Sequence, residues 1–214
     1  MAITTESLPP PGWGLEGSAA ASLLEAFPRG QLSEIVGLRS AGGSSLVMAL
    51  LARATAAGEL AALVDGADAF DPAGAAAAGA ALRSLFWVRA GRRLDHACRA
   101  AELLARSGGF TWVVLDLAAD PTASAHRPTP ALGPATWIRL QRAVRDTPTR
   151  LVVHASRHLT GSAAALVLEV ARGSARWAGA PRPTRLEGIG SRVEVVRSRP
   201  PSLQPSPWEI AWRL

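Results

Sequence analysis

Between Glu34 and Val47 the sequence reads EIVGLRSAGGSSLV: a short β-like run, a turn rich in glycine and serine, then an apolar stretch. That is the order of a strand, a phosphate-cradling loop and a helix. Set against G-x-x-x-x-G-K-[ST], Gly37 and Gly42 fall on the two glycines and Ser44 on the hydroxyl, with Ser45 behind it. Such loops hold phosphate with backbone N–H groups at a helix N-terminus, while a lysine reaches the terminal phosphates. Here the lysine position is Gly43, and no lysine occurs anywhere in the chain to replace it. The frame of a nucleotide site is present without its cation.

Other reactive side chains are less organised. His154 and His158 stand four apart, a spacing that suits two metal ligands on a helix, but LVVH reads as a strand ending at His154. His96, Cys98 and Glu102 lie along one amphipathic helix without a second ligand pair, so a packed thiol with solvated neighbours is expected and no metal site. Ser44 and Ser45 have no His–Asp pair near them in sequence to activate a nucleophile.

The elements that must position these residues alternate. Ser18–Phe27 reads as a short helix, Gln31–Val36 as a strand, and Ser44–Ala57 as a helix burying Leu46, Leu50 and Leu51. Leu60–Val64 is a strand ending at Asp65, Ala73–Leu82 an Ala-rich helix, and Leu85–Val88 a short strand. Apolar positions 94, 97, 98, 101, 104 and 105 follow helical spacing, and Thr111–Leu115 is a continuous apolar strand closed by Asp116. A Pro-rich loop, Ala119–Pro134, precedes a helix over Ala135–Arg145 and a strand over Leu151–His154. After that, Ala164–Ala171, Arg192–Arg197 and Glu209–Arg213 read as strands with no helices between them. The alternation predicts an α/β fold: three layers, a mostly parallel central sheet, and late strands that extend it antiparallel.

Composition sets the outer bounds. The 214 residues are enough for one α/β core, expected over 16–214, with 1–15 a poorly ordered Pro- and Gly-rich segment. No apolar run approaches the ~18 residues that span a bilayer, and MAITTESLPPPGWG has neither the basic nor the apolar region of a signal peptide. With a single cysteine, Cys98, no internal disulfide forms, and a cytoplasmic protein without membrane contact is expected. The net charge of +6 is carried by arginine alone. Guanidinium groups favour phosphates and carboxylates, so nucleic acid or an acidic partner suits this surface.

Four segments, RGQLSEIVGLRSAGGSSL (29–46), VDGADAFDP (64–72), LARSGGFTWVVLD (104–116) and SRVEVVRSRPPSLQPSPWEIAWRL (191–214), occur in order and at spacings that resemble the core of the RecA recombinase family. The resemblance implies a RecA-like core from about residue 28 onward. It also implies that the P-loop lysine position is Gly43, the catalytic glutamate position Ala67, the adenine-stacking tyrosine position Gly74, and the sensing glutamine near Ser156. Asp116 matches the magnesium-binding aspartate, where it either helps Ser44 hold Mg²⁺ or serves only as a structural cap. Phosphoryl transfer depends on positioned positive charge, so these losses imply a vestigial site at Gly37, Gly42, Gly43, Ser44, Ser45 and Asp116, with ATP and magnesium binding weak or absent.

In the recombinases a mobile loop after the fifth strand enters the filament core; here SRHLTGS (156–162) is too short for that role. Weak, sequence-independent contact with DNA through arginine stays open. Among degenerate RecA-like proteins the chain resembles the ImuA group of the bacterial damage-induced mutagenesis cassette. That resemblance implies a non-catalytic accessory in translesion synthesis, bound to an ImuB-like Y-family polymerase homologue and to RecA, and nucleoid-associated when DNA is damaged. An atypical weak ATPase, a DNA-binding RecA paralogue and a SulA-like division inhibitor are the alternatives. Partner contact is expected at the C-terminal strand, through Trp208, Ile210, Trp212, Arg213 and Leu214, and on the helix carrying Trp137, Arg139 and Arg142.

Overall fold

The computed structural model describes residues 23, 25–118, 132–179, 185–199 and 208–213; for Arg176 and for the last segment apart from Ile210 it describes backbone alone. The expectations for residues 1–15, for the body of the Ala119–Pro134 loop and for most of the Ser18–Phe27 helix lie outside these residues. Eight strands form one sheet: β1 (Gln31–Gly37), β2 (Ala61–Asp65), β3 (Leu85–Arg89), β4 (Trp112–Asp116), β5 (Arg150–Ala155), β6 (Leu166–Ala178), β7 (Arg185–Ser198) and β8 (Trp208–Arg213). Their spatial order is β3-β2-β4-β5-β1-β6-β7-β8. Strands β3 through β6 in that order run parallel, and β7 and β8 add antiparallel. The α/β class with its antiparallel end is therefore as expected, except that β6 itself still pairs parallel to β1.

Strand alternation sorts side chains onto two faces. On one face Ile35, Leu63, Val114, Val152 and Leu168 pack against Leu46, Leu50 and Leu51 of α1 (Gly43–Ala56). On the other, Leu32, Val64, Leu115 and Val153 pack against α3 (Leu94–Ser107) and α4 (Pro134–Val144). The short helix α2 (Pro72–Ala77) sits beside α1. It starts on Pro72, capped by the Asp71 carboxylate, which accepts from Ala73 N–H at 3.0 Å. It stops well before Leu82, because the chain turns left-handed at Gly79 (φ 92°) and Ala80 N–H closes the end onto the Ala75 carbonyl. Alanine content favours helix, but the glycine ends it.

Helices α3 and α4 are joined by charge. Glu102, buried at 2 % exposure, accepts from Arg139 at 2.8 Å and Arg99 at 3.0 Å and lies 3.4 Å from Arg106. Among the described residues no helix is long and apolar enough to cross a membrane.

Candidate functional site

The loop between β1 and α1 keeps the shape its sequence suggests. Strand β1 ends at Gly37, the chain turns left-handed at Gly42 (φ 102°), and the helix opens at Gly43 with no side-chain cap. Leu46 N–H bonds the Gly42 carbonyl at 2.9 Å, and Ala41 N–H bonds that of Leu38 at 3.0 Å. The loop is also tied to the antiparallel strands. Ser191 Oγ donates to the Ala41 carbonyl at 2.7 Å, and Arg172 donates to that of Arg39 at 3.0 Å. A cleft of about 320 Å³ lies over it, lined among others by Gly37, Gly42, Gly43, Ser44, Ser45 and His154. Ser44 is exposed and Ser45 partly so.

Beneath the loop the chemistry differs from a nucleotide site. Asp65, Asp116 and His154 share the α1-side face by strand alternation, and the register sets Asp116 beside both Asp65 and His154. His154 is 2 % exposed, and its Nδ1 meets Asp116 Oδ1 at 3.0 Å. The carboxylate accepts, so Nδ1 carries the proton. Asp116 Oδ1 also accepts from Ala118 N–H at 3.0 Å. The other edge of the imidazole fills the space above Gly43: a Cβ built there would lie 2.5 Å from His154 Nε2. Glycine at the lysine position is thus a packing requirement as well as a lost charge.

The acidic segment is likewise folded onto itself. Asp65, 1 % exposed, accepts from Ala69 and Phe70 N–H, both at 3.1 Å. Ala67 is buried, and Asp68, left-handed at φ 56°, pairs with Arg89 at 2.7 Å. Gly74 lies on α2, where a Cβ would meet Asp71 Oδ2 at 2.6 Å. Ser156 does reach the cleft wall. The donor set is poor for a magnesium-bound nucleotide: Asp116 Oδ1 is shared by His154 and a backbone N–H, and Gly43 offers no charge. Among the described residues no three His, Cys, Asp or Glu side chains gather as metal ligands.

The segment after β5, expected to be a short connection, is pinned from below. Glu34, 1 % exposed, accepts from Leu159 N–H at 2.7 Å, Thr160 N–H at 3.1 Å and Thr160 Oγ1 at 2.8 Å. His158 bridges outward to Glu169 at 2.7 Å. Neither Glu34 nor the His154–Asp116 pair was singled out from sequence. The signal for the pair was there: TWVVLD and LVVH both end in a polar residue after an apolar strand, and such strands in a parallel sheet can lie side by side.

The expected partner surface needs two corrections. Trp137 is 2 % exposed and packs with Leu140 and Val144, at the i, i+3, i+7 spacing of one helix face, while Ile138 turns outward at 45 % exposure. Trp137 is therefore a core residue, and Arg139 is engaged with Glu102; Arg142 is an exposed side chain with no such engagement among the described residues. Ile210 is 3 % exposed in the core cluster below β7 and β8, so it is no surface anchor either. The side chains of Trp208, Trp212 and Arg213, and all of Leu214, lie outside the description.

Comparison with known proteins agrees with this frame. The RecA N-terminal domain model matches residues 14–165. RecA of Borrelia hermsii is 36% identical over 124 residues, covering 55% of this chain and 35% of that protein. RecA of Chlorobaculum parvum is 35% identical over 138 residues, 64% of this chain and 36% of its own length. The chain thus spans about a third of the curated relatives it matches. The crystal structure of the RadB recombinase superposes with a TM-score of 0.58 at 15% identity, covering 88% of this chain and 91% of that one, a likeness of fold. With the family model matching residues 14–165, most of this chain, and the strand-loop-helix frame in place, the chain belongs to the RecA N-terminal domain family.

Proposed function

We propose that this chain is a RecA-like DNA-repair protein that turns over no ATP and acts as an accessory in damage-induced translesion synthesis. One observation carries the first half of that reading. His154 occupies the room a lysine would need at Gly43 and at the same time holds Asp116. A positioned cation and a free metal-binding carboxylate supply most of the electrostatic stabilisation in phosphoryl transfer; here the lysine position carries no charge and Asp116 Oδ1 is held by His154. The accessory role rests on the resemblance of the four segments to the ImuA group, and it names an ImuB-like polymerase homologue and RecA as partners.

Hydrolysis is the first test. Purified chain with ATP and magnesium, with and without single-stranded DNA, should show no turnover; steady hydrolysis abolished by Asp116→Ala overturns the reading. Co-purification with the ImuB-like homologue and with RecA tests the second half, and retention of neither removes the scaffold role. If deletion of residues 207–214 leaves binding intact, the C-terminal strand is not the interface.

A second reading is favoured by the cleft itself. It keeps about 320 Å³ and has Arg39 on its wall, so nucleotide binding without hydrolysis remains chemically reasonable. Equilibrium binding of a fluorescent ATP analogue separates the two.

A further inference from the structure

The opposite end of the sheet holds a different collection of charge. Arg29 precedes the turn into β1, Arg145 caps the end of α4, and Arg199 follows β7. In sequence they are far apart. The fold brings them to one cavity of about 330 Å³ at the amino ends of the parallel strands, lined also by Gln31 and Gln141, and among the described residues no acidic side chain contributes to its wall.

The protein does little to neutralise this group. Arg29 lies 3.7 Å from Glu59 and 3.4 Å from the Pro148 carbonyl, both long contacts. Glu59 is itself an acceptor for Trp112 Nε1 at 2.8 Å. Arg199 donates to the Ser162 carbonyl at 2.5 Å, an uncharged partner. Arg145 and Gln141 have no hydrogen-bond or ion-pair partner among the described residues. Burial holds the neighbouring Arg150 below the ordinary arginine range, and Arg29 adds to that effect. Like charges gathered this way repel.

One local feature acts against an anion. The last carbonyls of α4 face Gly30, where a Cβ would lie 3.0 Å from the Arg145 oxygen. A helix C-terminus carries about half a negative charge, against a full positive charge on each guanidinium, so the arginines dominate. Guanidinium forks match phosphate oxygens in pairs, and a cavity of a few hundred Å³ has room for a phosphate and its substituent.

We propose that this cavity is a phosphate-binding site, taking a phosphate group either from a free polyphosphate or from the backbone of a nucleic-acid strand. It lies across the sheet from the β1–α1 loop and stands independently of the proposed accessory role. Two probes distinguish the sources: inorganic pyrophosphate by titration calorimetry, and a fluorescein-labelled oligothymidylate by anisotropy at about 50 mM salt. Both use the full chain, and Arg145→Gln with Arg199→Gln is set beside Arg83→Gln with Arg92→Gln, exposed arginines flanking the other sheet edge.

The cavity variant should bind about 100-fold more weakly, roughly tenfold per guanidinium, while the control changes less than about threefold. Loss with both probes assigns a site for free phosphates. Binding and loss with the oligonucleotide alone assign the strand backbone, with the salt slope falling by about 0.7 per phosphate contact removed. Arg145→Gln alone keeps the test decisive if the double variant does not fold, since that side chain has no partner to lose among the described residues. The site is overturned if neither probe binds, if the control weakens as much as the cavity variant, or if polyglutamate displaces the probes at equal charge.

Discussion

At the carboxyl ends of the parallel strands three carboxylates are engaged inside the protein. Asp65 gives both carboxylate oxygens to its own turn, Asp116 holds His154 and Ala118, and Glu34 ties down Leu159 and Thr160. At the amino ends, Arg145 and Gln141 meet no partner among the described residues, and the contacts seen there for Arg29 and Arg199 are long or uncharged. The loop end is the one with the strand-loop-helix cleft. Yet its charge has been turned inward, and the unspent charge sits at the far end. Shape and charge thus lie at opposite ends of the strands, which is what the proposed phosphate site rests on.

That contrast can be broken most forcefully at Glu34. Replacing it with Ala leaves two backbone N–H groups and the Thr160 hydroxyl buried without an acceptor, and about 3–4 kcal/mol of stability should be lost in urea unfolding. A loss below about 1 kcal/mol would mean the loop after β5 is not held from beneath. Next in size is Gly43→Ala, which forces a methyl group against His154 and should cost about 1–3 kcal/mol. The same substitution made on a His154→Ala background should cost at least about 1 kcal/mol less; a purely additive double variant would contradict the packing account.

Cys98 lies in the helical layer below both ends, and it tests whether that layer is closed. Burial pushes its thiol up to about 11 from an ordinary value near 9.0, against a smaller opposing pull from Arg139. The folded chain then keeps a proton that the unfolded chain releases, so stability must fall as pH rises from about 9 to about 11. Unfolding midpoints for the parent chain and Cys98→Ala should diverge across that window, and parallel curves would show an open thiol. The smallest effect belongs to the amino end. Arg145→Gln should change stability by no more than about 0.5 kcal/mol, because no partner among the described residues is lost. A clear destabilisation there would give the arginine a structural role and erase the difference between the ends.

Much of the fold was legible from periodicity. The apolar strands around positions 35, 63, 114 and 152, and the helix at 94–107, stand where alternation and helical spacing put them. Trp137 was readable too, at i, i+3 and i+7 with Leu140 and Val144, but its size and its arginine neighbours suggested a surface anchor instead. The length of α2 was missed because alanine propensity is local, whereas the left-handed turn at Gly79 decides where the helix stops. Glu34 looked like an ordinary strand residue; only the fold shows that its face meets the segment after β5.

The order of residues alone determined the strand-loop-helix frame, the absence of lysine at Gly43 and anywhere else, and the excess of arginine. These are local or compositional facts, and no folding is needed to know them. Tertiary structure decided that His154 stands over Gly43 with Asp116 in its grip. It likewise decided that Arg29, Arg145 and Arg199 meet at one cavity. Both depend on which strands lie side by side. Register between distant segments is set by burying two apolar faces at once, a condition on the whole sheet that no single stretch of sequence contains.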